Sequence, residues 1–432
     1  MRTVGLIVEY NPFHHGHLHH LQQAQQISGA EAVVAVMSGN FLQRGEPAIV
    51  DKWARTEMAL AAGCDLVIEL PVAYATQAAE WFAYGAISLL EATGVVDSFC
   101  FGTESGELAP LLAASELLSD EPSSFKQSLK QLLQTGQNYP AAYSEALRQH
   151  LHTIYGNTYS AFDFAQPNHT LGLHYLIAQR RINATMQPFT IARQKAQFHD
   201  NTLSDTSIAS ATAIRQQLLD LSTSALDSAT SSNASLLTER LQSIAPYIPT
   251  TSLNILQQQF QLNAAPVTWE QCYPALLQRL MLIDKTELST IHEWTEGLES
   301  RLFNIITTST PASFTQLLQS LKTKRYTQTK LQRALLAVLL QHYKHDFTRE
   351  NLQSGIRYIR VLGFSQKGRQ LLKKMRVHAK LPVLQNTIVE QPSSYLTLDI
   401  QASNLYELLK SNTIADKKFY RDYKQKPVML LT

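Results

Sequence analysis

Val4-Gly5-Leu6-Ile7-Val8-Glu9-Tyr10-Asn11-Pro12-Phe13-His14-His15-Gly16-His17 is a short apolar, β-rich run that breaks into a turn and then into a histidine pair. The run predicts a buried strand over 4–8, and helical spacing from Leu18 to Ile27, closed by Gly29, predicts that the turn opens a helix. The unit repeats outward. Strands are expected at 32–37, 66–70, 98–101 and 189–192, and helices over 51–62, 77–93 and 208–219, with further helices up to about residue 180. Near-continuous apolar strands alternating with helices predict an α/β fold whose parallel sheet is covered on both faces.

The rest of the chain reads differently. Residues 221–235 are rich in Ser, Thr and Ala and read as a linker, and almost no strand pattern is visible before residue 382. Helical spacing appears at 269–285, 287–306, 311–322, 328–345 and 365–376, and 395–400 reads as a short strand or an extended tail. The expected division is 1–220 for the sheet domain, 221–240 for the linker and 241–432 for a mostly α-helical domain. With 432 residues and 44% hydrophobic composition, two sizeable cores can be buried. Charged residues are only 17%, which excludes a disordered polyelectrolyte. Cys64, Cys100 and Cys272 stand far apart, so neither a disulfide framework nor a zinc ribbon is indicated, and buried small hydrophobes are expected. No apolar run is long enough to span a membrane, so a cytoplasmic protein is expected.

The chemistry concentrates in His14-His15-Gly16-His17. Gly16 lets the backbone approach a phosphate chain, and the new helix offers free N–H groups and a positive dipole end. Two imidazoles three residues apart can donate to phosphate oxygens and stabilise charge growing on an α-phosphate. Spacing alone leaves other readings open. Five histidines fall between 14 and 20, so a metal site competes, as do solvated or half-buried histidines. No G-x-x-x-x-G-K, G-x-S-x-G or H-E-x-x-H pattern is present.

Asn11-Pro12-Phe13-His14-x-Gly16-His17 resembles the His-x-Gly-His nucleotidylyltransferase superfamily, and longer blocks are closer still to one branch of it. Met37-Ser38-Gly39-Asn40-Phe41-x-Gln43-Arg44-Gly45-Glu46-Pro47-Ala48 resembles the tRNA(Met) cytidine acetate ligase family. So do Asp51-Lys52-Trp53-x-Arg55, Asp65 to Pro71, Phe101-Gly102-Thr103-Glu104-Ser105-Gly106, Gln166-Pro167-Asn168, Ser210 to Arg215, Leu321 to Thr327 and Leu362-Gly363-Phe364. The resemblance implies a Rossmann-like domain that activates acetate with ATP, with Mg2+ bridging the phosphates. The acetyl group then goes to N4 of the wobble cytidine of elongator tRNA(Met), giving N4-acetylcytidine. His14 and His17 are the implied catalytic pair, and no metal-ligating protein residues are expected.

By the same resemblance the ATP-binding stretch is Ile7, Val8, Glu9, Tyr10, Asn11, Pro12, Phe13, His14, His15, Gly16, His17, Leu18, His19 and His20, joined by Gly102, Asn168 and Arg193. Ser210 and Arg215, at the start of a helix, suit the β- and γ-phosphates, with ordinary capping as the plain alternative. Ser38, Asn40 and Arg44, past the second strand, are candidates for ordering acetate or the RNA. The sequence departs from the family at His15, His19, Ala192 and Phe198-His199-Asp200.

The formal charge of +2 predicts no affinity for nucleic acid, but its distribution does. Residues 321–380 hold 15 Lys/Arg against 2 Asp/Glu, whereas the remainder holds 22 against 33. This stretch, with interleaved Tyr326, Tyr343, Tyr358 and Phe364, predicts an RNA surface built from Lys322, Lys324, Arg325, Lys330, Arg333, Arg360, Lys367 and Arg369. Two other functions compete: a nucleotidylyltransferase acting on a small phosphate ester, and an RNA-binding protein without catalysis.

Overall fold

The computed structural model describes residues 1–137, 139–193, 209–224, 239–295, 297–388 and 393–431. Five parallel strands form its centre: β1 (Thr3–Val8), β2 (Ala32–Ser38), β3 (Leu66–Leu70), β4 (Ser98–Thr103) and β5 (Gln187–Ala192), in the order β5-β4-β1-β2-β3. Val4 pairs with Val33 on one side and with Ser98 on the other, so the order reverses between β1 and β4. Doubly wound sheets open a ligand crevice at such a switch point, beyond the carboxyl ends of the strands.

Period-two alternation assigns the faces. Val34 and Val36 join one core, while Val33, Ala35 and Met37 join the other. The helices that matter below are α1 (His15–Ser28), α2 (Lys52–Ala61), α3 (Ala79–Ala92), α4 (Ala109–Leu118), α5 (Pro167–Arg181), α6 (Ala211–Ser224) and α7 (Thr250–Gln261) in the first part of the chain. Further on lie α8 (Trp269–Leu282), α9 (Phe314–Leu321), α10 (Gln328–Leu340), α11 (Gln366–His378) and α12 (Ser394–Leu409). Apolar side chains of α1, α2, α6 and α7 cover one face of the sheet, and those of α3, α4, α5 and α11 the other. A third core gathers α8, α9, α10 and part of α12.

The second half of the chain is less purely helical than expected. β6 (Ile359–Ser365) runs antiparallel to β3, and β7 (Val383–Leu384) and β8 (Val428–Leu430) pair with β6. The sheet that begins in the first half is therefore finished by the second. β6 hides from a hydropathy reading because it carries Arg360, whose guanidinium is buried against Glu69 at 2.9 Å and against Asp422. Lys52, at 2.8 Å from Glu69 and 2.6 Å from Asp422, completes a sealed group of two cations and two carboxylates. Arg360 is thus a core residue, and its assignment to the RNA surface is corrected: paired and enclosed, it cannot meet a phosphate.

Other expectations shift locally. Residues 395–400 lie in α12, not in a strand, because Ser393 caps the helix and Tyr395, Leu396, Asp399, Ile400, Ala402, Tyr406 and Leu409 are buried at helical spacing. The 287–306 segment breaks into Lys285–Thr290 and Leu298–Thr308, and α10 stops at Leu340 because Gln341 turns left-handed. Residues 221–224 continue α6; 225–238, most of the expected linker, and Phe198-His199-Asp200 lie outside the described residues. Among the described residues no helix is long and apolar enough to cross a membrane. The three cysteines are buried, as expected, and burial pushes the Cys64 and Cys100 thiols up to about 12.

Candidate active site

The switch point opens a cleft of about 350 Å³ between the ends of β1, β4 and β5 and the start of α1. α1 begins at His15, earlier than the apolar spacing suggests, because His14 is its cap. The Gly16 N–H donates to His14 Nδ1 at 3.0 Å, and the His14 N–H donates to His17 Nδ1 at 3.4 Å. This is a capping box made with two imidazoles instead of a hydroxyl and a carboxylate. It fixes chemistry as well as structure. A neutral ring that accepts at Nδ1 carries its proton on Nε2, so each ring keeps one N–H donor. The rings lie 3.8 Å apart between centroids, next to each other on the cleft wall.

Burial, reinforced by Arg193 and Arg215, lowers His14 to about 3. Burial also holds His17 well below its ordinary value, with His14 and Arg193 adding to the effect. His20 falls to about 4, again first through burial and then through Arg193. Without an anion the histidines are therefore neutral donors, while the arginines supply the positive charge.

The other wall is built from the ends of β4 and β5 and the starts of α5 and α6. Gly102 is the last residue but one of β4, and a Cβ there would meet Arg193 Cγ at 3.3 Å, so the missing side chain makes room for that arginine. Arg193 Nη1 donates to Asn168 Oδ1 at 3.0 Å. Asn168 is held in turn by Glu104, which accepts its amide at 2.7 Å and also accepts the Asn168 and His169 backbone N–H groups at 3.0 Å each. Glu104 thereby caps α5 with a full negative charge, the favourable sign at a helix start. Ser210 Oγ accepts from the Ala213 N–H at 3.0 Å, and so caps α6 at the cleft edge. Arg215 Nη1 donates to the Asn11 carbonyl at 3.1 Å, and Nη2 lies 3.4 Å from Glu46. Burial raises the Glu9 carboxyl, which accepts from the Gln43 N–H at 2.8 Å.

The cleft collects most of the residues expected from the sequence. Ile7, Val8, Glu9, Tyr10, Asn11, His14, Gly16, His17, His19, His20, Arg44, Gly102, Asn168, Arg193, Ser210 and Arg215 all line it. The others serve from behind or point elsewhere. Phe13 is fully buried edge-on against Tyr10 at 4.6 Å, and Pro12 is buried beside it. His15 and Leu18 sit on α1 away from the lining, Leu18 against the core beneath.

Ser38 and Asn40 stand behind the cleft. Ser38 Oγ donates to Glu9 at 3.4 Å from a buried position, and Asn40 accepts the Lys52 N–H at 2.8 Å and turns toward Ser403. Ser38 ends β2, Asn40 belongs to the loop that follows it, and neither lines the cleft. Glu104 and Glu46 were not singled out in the sequence. Glu104 stands two residues after Gly102, but its partners lie 64 and 65 residues away, which spacing cannot show.

The basic segment divides. Lys322, Lys324 and Arg325 are exposed, and Lys322 lines a cavity next to the cleft. Lys330 and Arg333 are engaged by Glu293, Arg333 at 2.8 Å. Burial alone would raise Glu293, yet Arg333 and Lys330 hold it down to about 2. Lys367 and Arg369 are exposed on α11. Lys367 Nζ donates to the Glu31 carbonyl before β2, and Gly368 packs onto Asp65 before β3. α11 thus begins at the edge of the sheet opposite the cleft.

A strand–turn–helix histidine pair thus stands at a topological switch point and shares its cleft with two arginines. The family model for HIGH nucleotidyl transferases matches residues 1–422. The chain belongs to this family. It is 40% identical over 430 residues to the tRNA(Met) cytidine acetate ligase of Lysinibacillus sphaericus, covering 99% of this chain and 100% of that protein. It is 38% identical over 390 residues to the ligase of the same name from Acetivibrio thermocellus, covering 89% of this chain and 88% of that one. Thermotoga maritima TmcAL bound with alpha-thio ATP superposes with a TM-score of 0.87 at 32% identity, covering 100% of both chains, and its apo form with 0.89.

Proposed function

We propose that this protein joins acetate to ATP to form acetyl-adenylate and passes the acetyl group to N4 of the wobble cytidine of elongator tRNA(Met). The carrying observation is the imidazole capping box, which leaves two Nε2–H donors beside Arg193 and Arg215. Support also comes from the names of the relatives similar over nearly the whole chain. In the first step an acetate oxygen attacks the α-phosphorus and pyrophosphate leaves. His14 and His17 donate to oxygens on which charge grows, a preorganised arrangement that needs no reorientation during reaction. Arg193, gripped by Asn168, and Arg215 neutralise the remaining phosphate charge. In the second step the cytidine amine attacks the acyl carbon and AMP leaves.

Mg2+ would be held here chiefly by substrate phosphates and water. Among the described residues no three metal-binding side chains come together, and the acids lining the cleft are Glu9 and Glu46. The ion would offset phosphate charge. The exposed Lys322, Lys324 and Arg325 are the basic residues best placed to guide an RNA to the cleft, while Lys367 and Arg369 would meet a more distant part of it.

The test is acetate-dependent exchange of labelled pyrophosphate into ATP. The wild-type protein should catalyse it, and His17→Ala should reduce it by roughly 10²–10³-fold, the usual cost of removing one transition-state donor. Exchange that survives His17→Ala would strip His17 of its role, and no exchange by the wild type would remove the acetyl-adenylate route.

A further inference from the structure

A second cavity of about 410 Å³ adjoins the ATP cleft. Glu46 and Arg215 line both spaces, so their 3.4 Å ion pair stands between them. Beyond that pair the wall carries Gln319, Gln328 and Gln332, and Lys322 lines it as well. Its apolar side includes Trp269 stacked on Phe314, with centroids 4.2 Å apart. Trp269 Nε1 donates to the Gly45 carbonyl at 2.9 Å, which fixes this wall to the loop bearing Glu46.

We propose that this cavity receives the pyrimidine base of the acceptor nucleoside and that Glu46 accepts its exocyclic amine. The inference rests on the acetyl-transfer reading above. The amine has to reach an acyl carbon bonded to the α-phosphate, so the base must lie against the ATP cleft and open into it. The volume falls within the range of small-ligand pockets, roughly 300–1,000 Å³. Side-chain amides match the mixed donor and acceptor edge of a base, and a carboxylate is the natural acceptor for the N4 amine of cytosine. A loop nucleotide swung out of its stack presents that edge. Lys322 offers a positive charge to its backbone phosphate. In the transfer step the N4–C bond forms, the C–O bond to the phosphate breaks and AMP leaves with its electron pair. The proton released from N4 passes to the Glu46 carboxylate.

Two variants test this. Gln319→Trp narrows the cavity from an exposed position, and Glu46→Gln keeps the side-chain shape but removes the proton acceptor. Each is compared with the wild type in pyrophosphate exchange without RNA and in single-turnover acetyl transfer to an unmodified elongator tRNA(Met) transcript. The ratio of transfer to exchange should fall about 100-fold for Glu46→Gln, the scale of a lost general base. It should also fall for Gln319→Trp. If the ratio holds in both variants, or if exchange and transfer fall together, Glu46 acts only through Arg215 on ATP and the proposal is overturned. A wild type without exchange refutes the acetyl-adenylate route instead, and transfer by Gln319→Trp against wild type still decides the cavity.

Discussion

His14 and His17 show how much a four-residue pattern can and cannot tell. Their types and spacing were legible, because a strand followed by a helix start is visible in hydropathy. Their tautomers were not, because these depend on which backbone N–H each Nδ1 accepts. The structure then gives a proton balance. With His14 near 3 and His20 near 4, held down by burial and by Arg193, both rings are neutral at pH 7. A polyphosphate beside them favours the charged form and raises these values. For His14 and His17 a further proton could go only on the Nδ1 that already accepts a backbone N–H, so the capping box opposes that rise and the two rings bind phosphate as neutral donors. Calorimetric titration with a non-hydrolysable ATP analogue, in buffers of different ionisation enthalpy, should detect no net proton uptake between pH 6 and pH 8. Uptake across that range would mean that the imidazoles charge on binding and that the capping box opens.

Helices and strands were read well where apolar periodicity decides them and poorly where tertiary partners do. β6 is the clearest case, since one buried arginine breaks its apolar pattern yet finds Glu69 and Asp422 waiting inside. α12 is the converse: β-forming residues become helical because a cap and a buried stripe outweigh propensity. The start of α5 depends on Glu104 in the same non-local way. Replacing it, as Glu104→Gln, removes the charge that complements the helix end and weakens the acceptor for two N–H groups. This should cost about 1 kcal/mol of stability. It should also raise the KM for ATP, because Asn168 would no longer be held against Arg193. Thermal unfolding and exchange kinetics measured on the same preparation check both effects. A fall in stability with unchanged KM would reduce Glu104 to a cap.

Across the whole molecule, the cancellation behind the +2 net charge is real in sequence but less simple in space. Of the eight basic residues expected to face RNA, Arg360 is sealed in the core, and Lys330 and Arg333 share Glu293. Two exposed groups remain: Lys322, which lines the cavity next to the cleft, with Lys324 and Arg325 just after it in the chain, and Lys367 and Arg369 on α11 at the far end of the strands. Sequence proximity joined them because a linear count of charge does not know that β6 crosses the sheet between them. The separation has a measurable consequence. Each lysine or arginine that neutralises a phosphate adds just under one to the salt slope of binding. Reversing Lys324 and Arg325 to Glu should lower that slope by about 2 and also slow acetyl transfer at subsaturating tRNA. Reversing Lys367 and Arg369 should change binding alone, with single-turnover transfer intact once the tRNA is saturating. If the α11 pair slows transfer under saturation while the Lys324 and Arg325 pair does not, the RNA approaches the cleft from the opposite edge of the sheet.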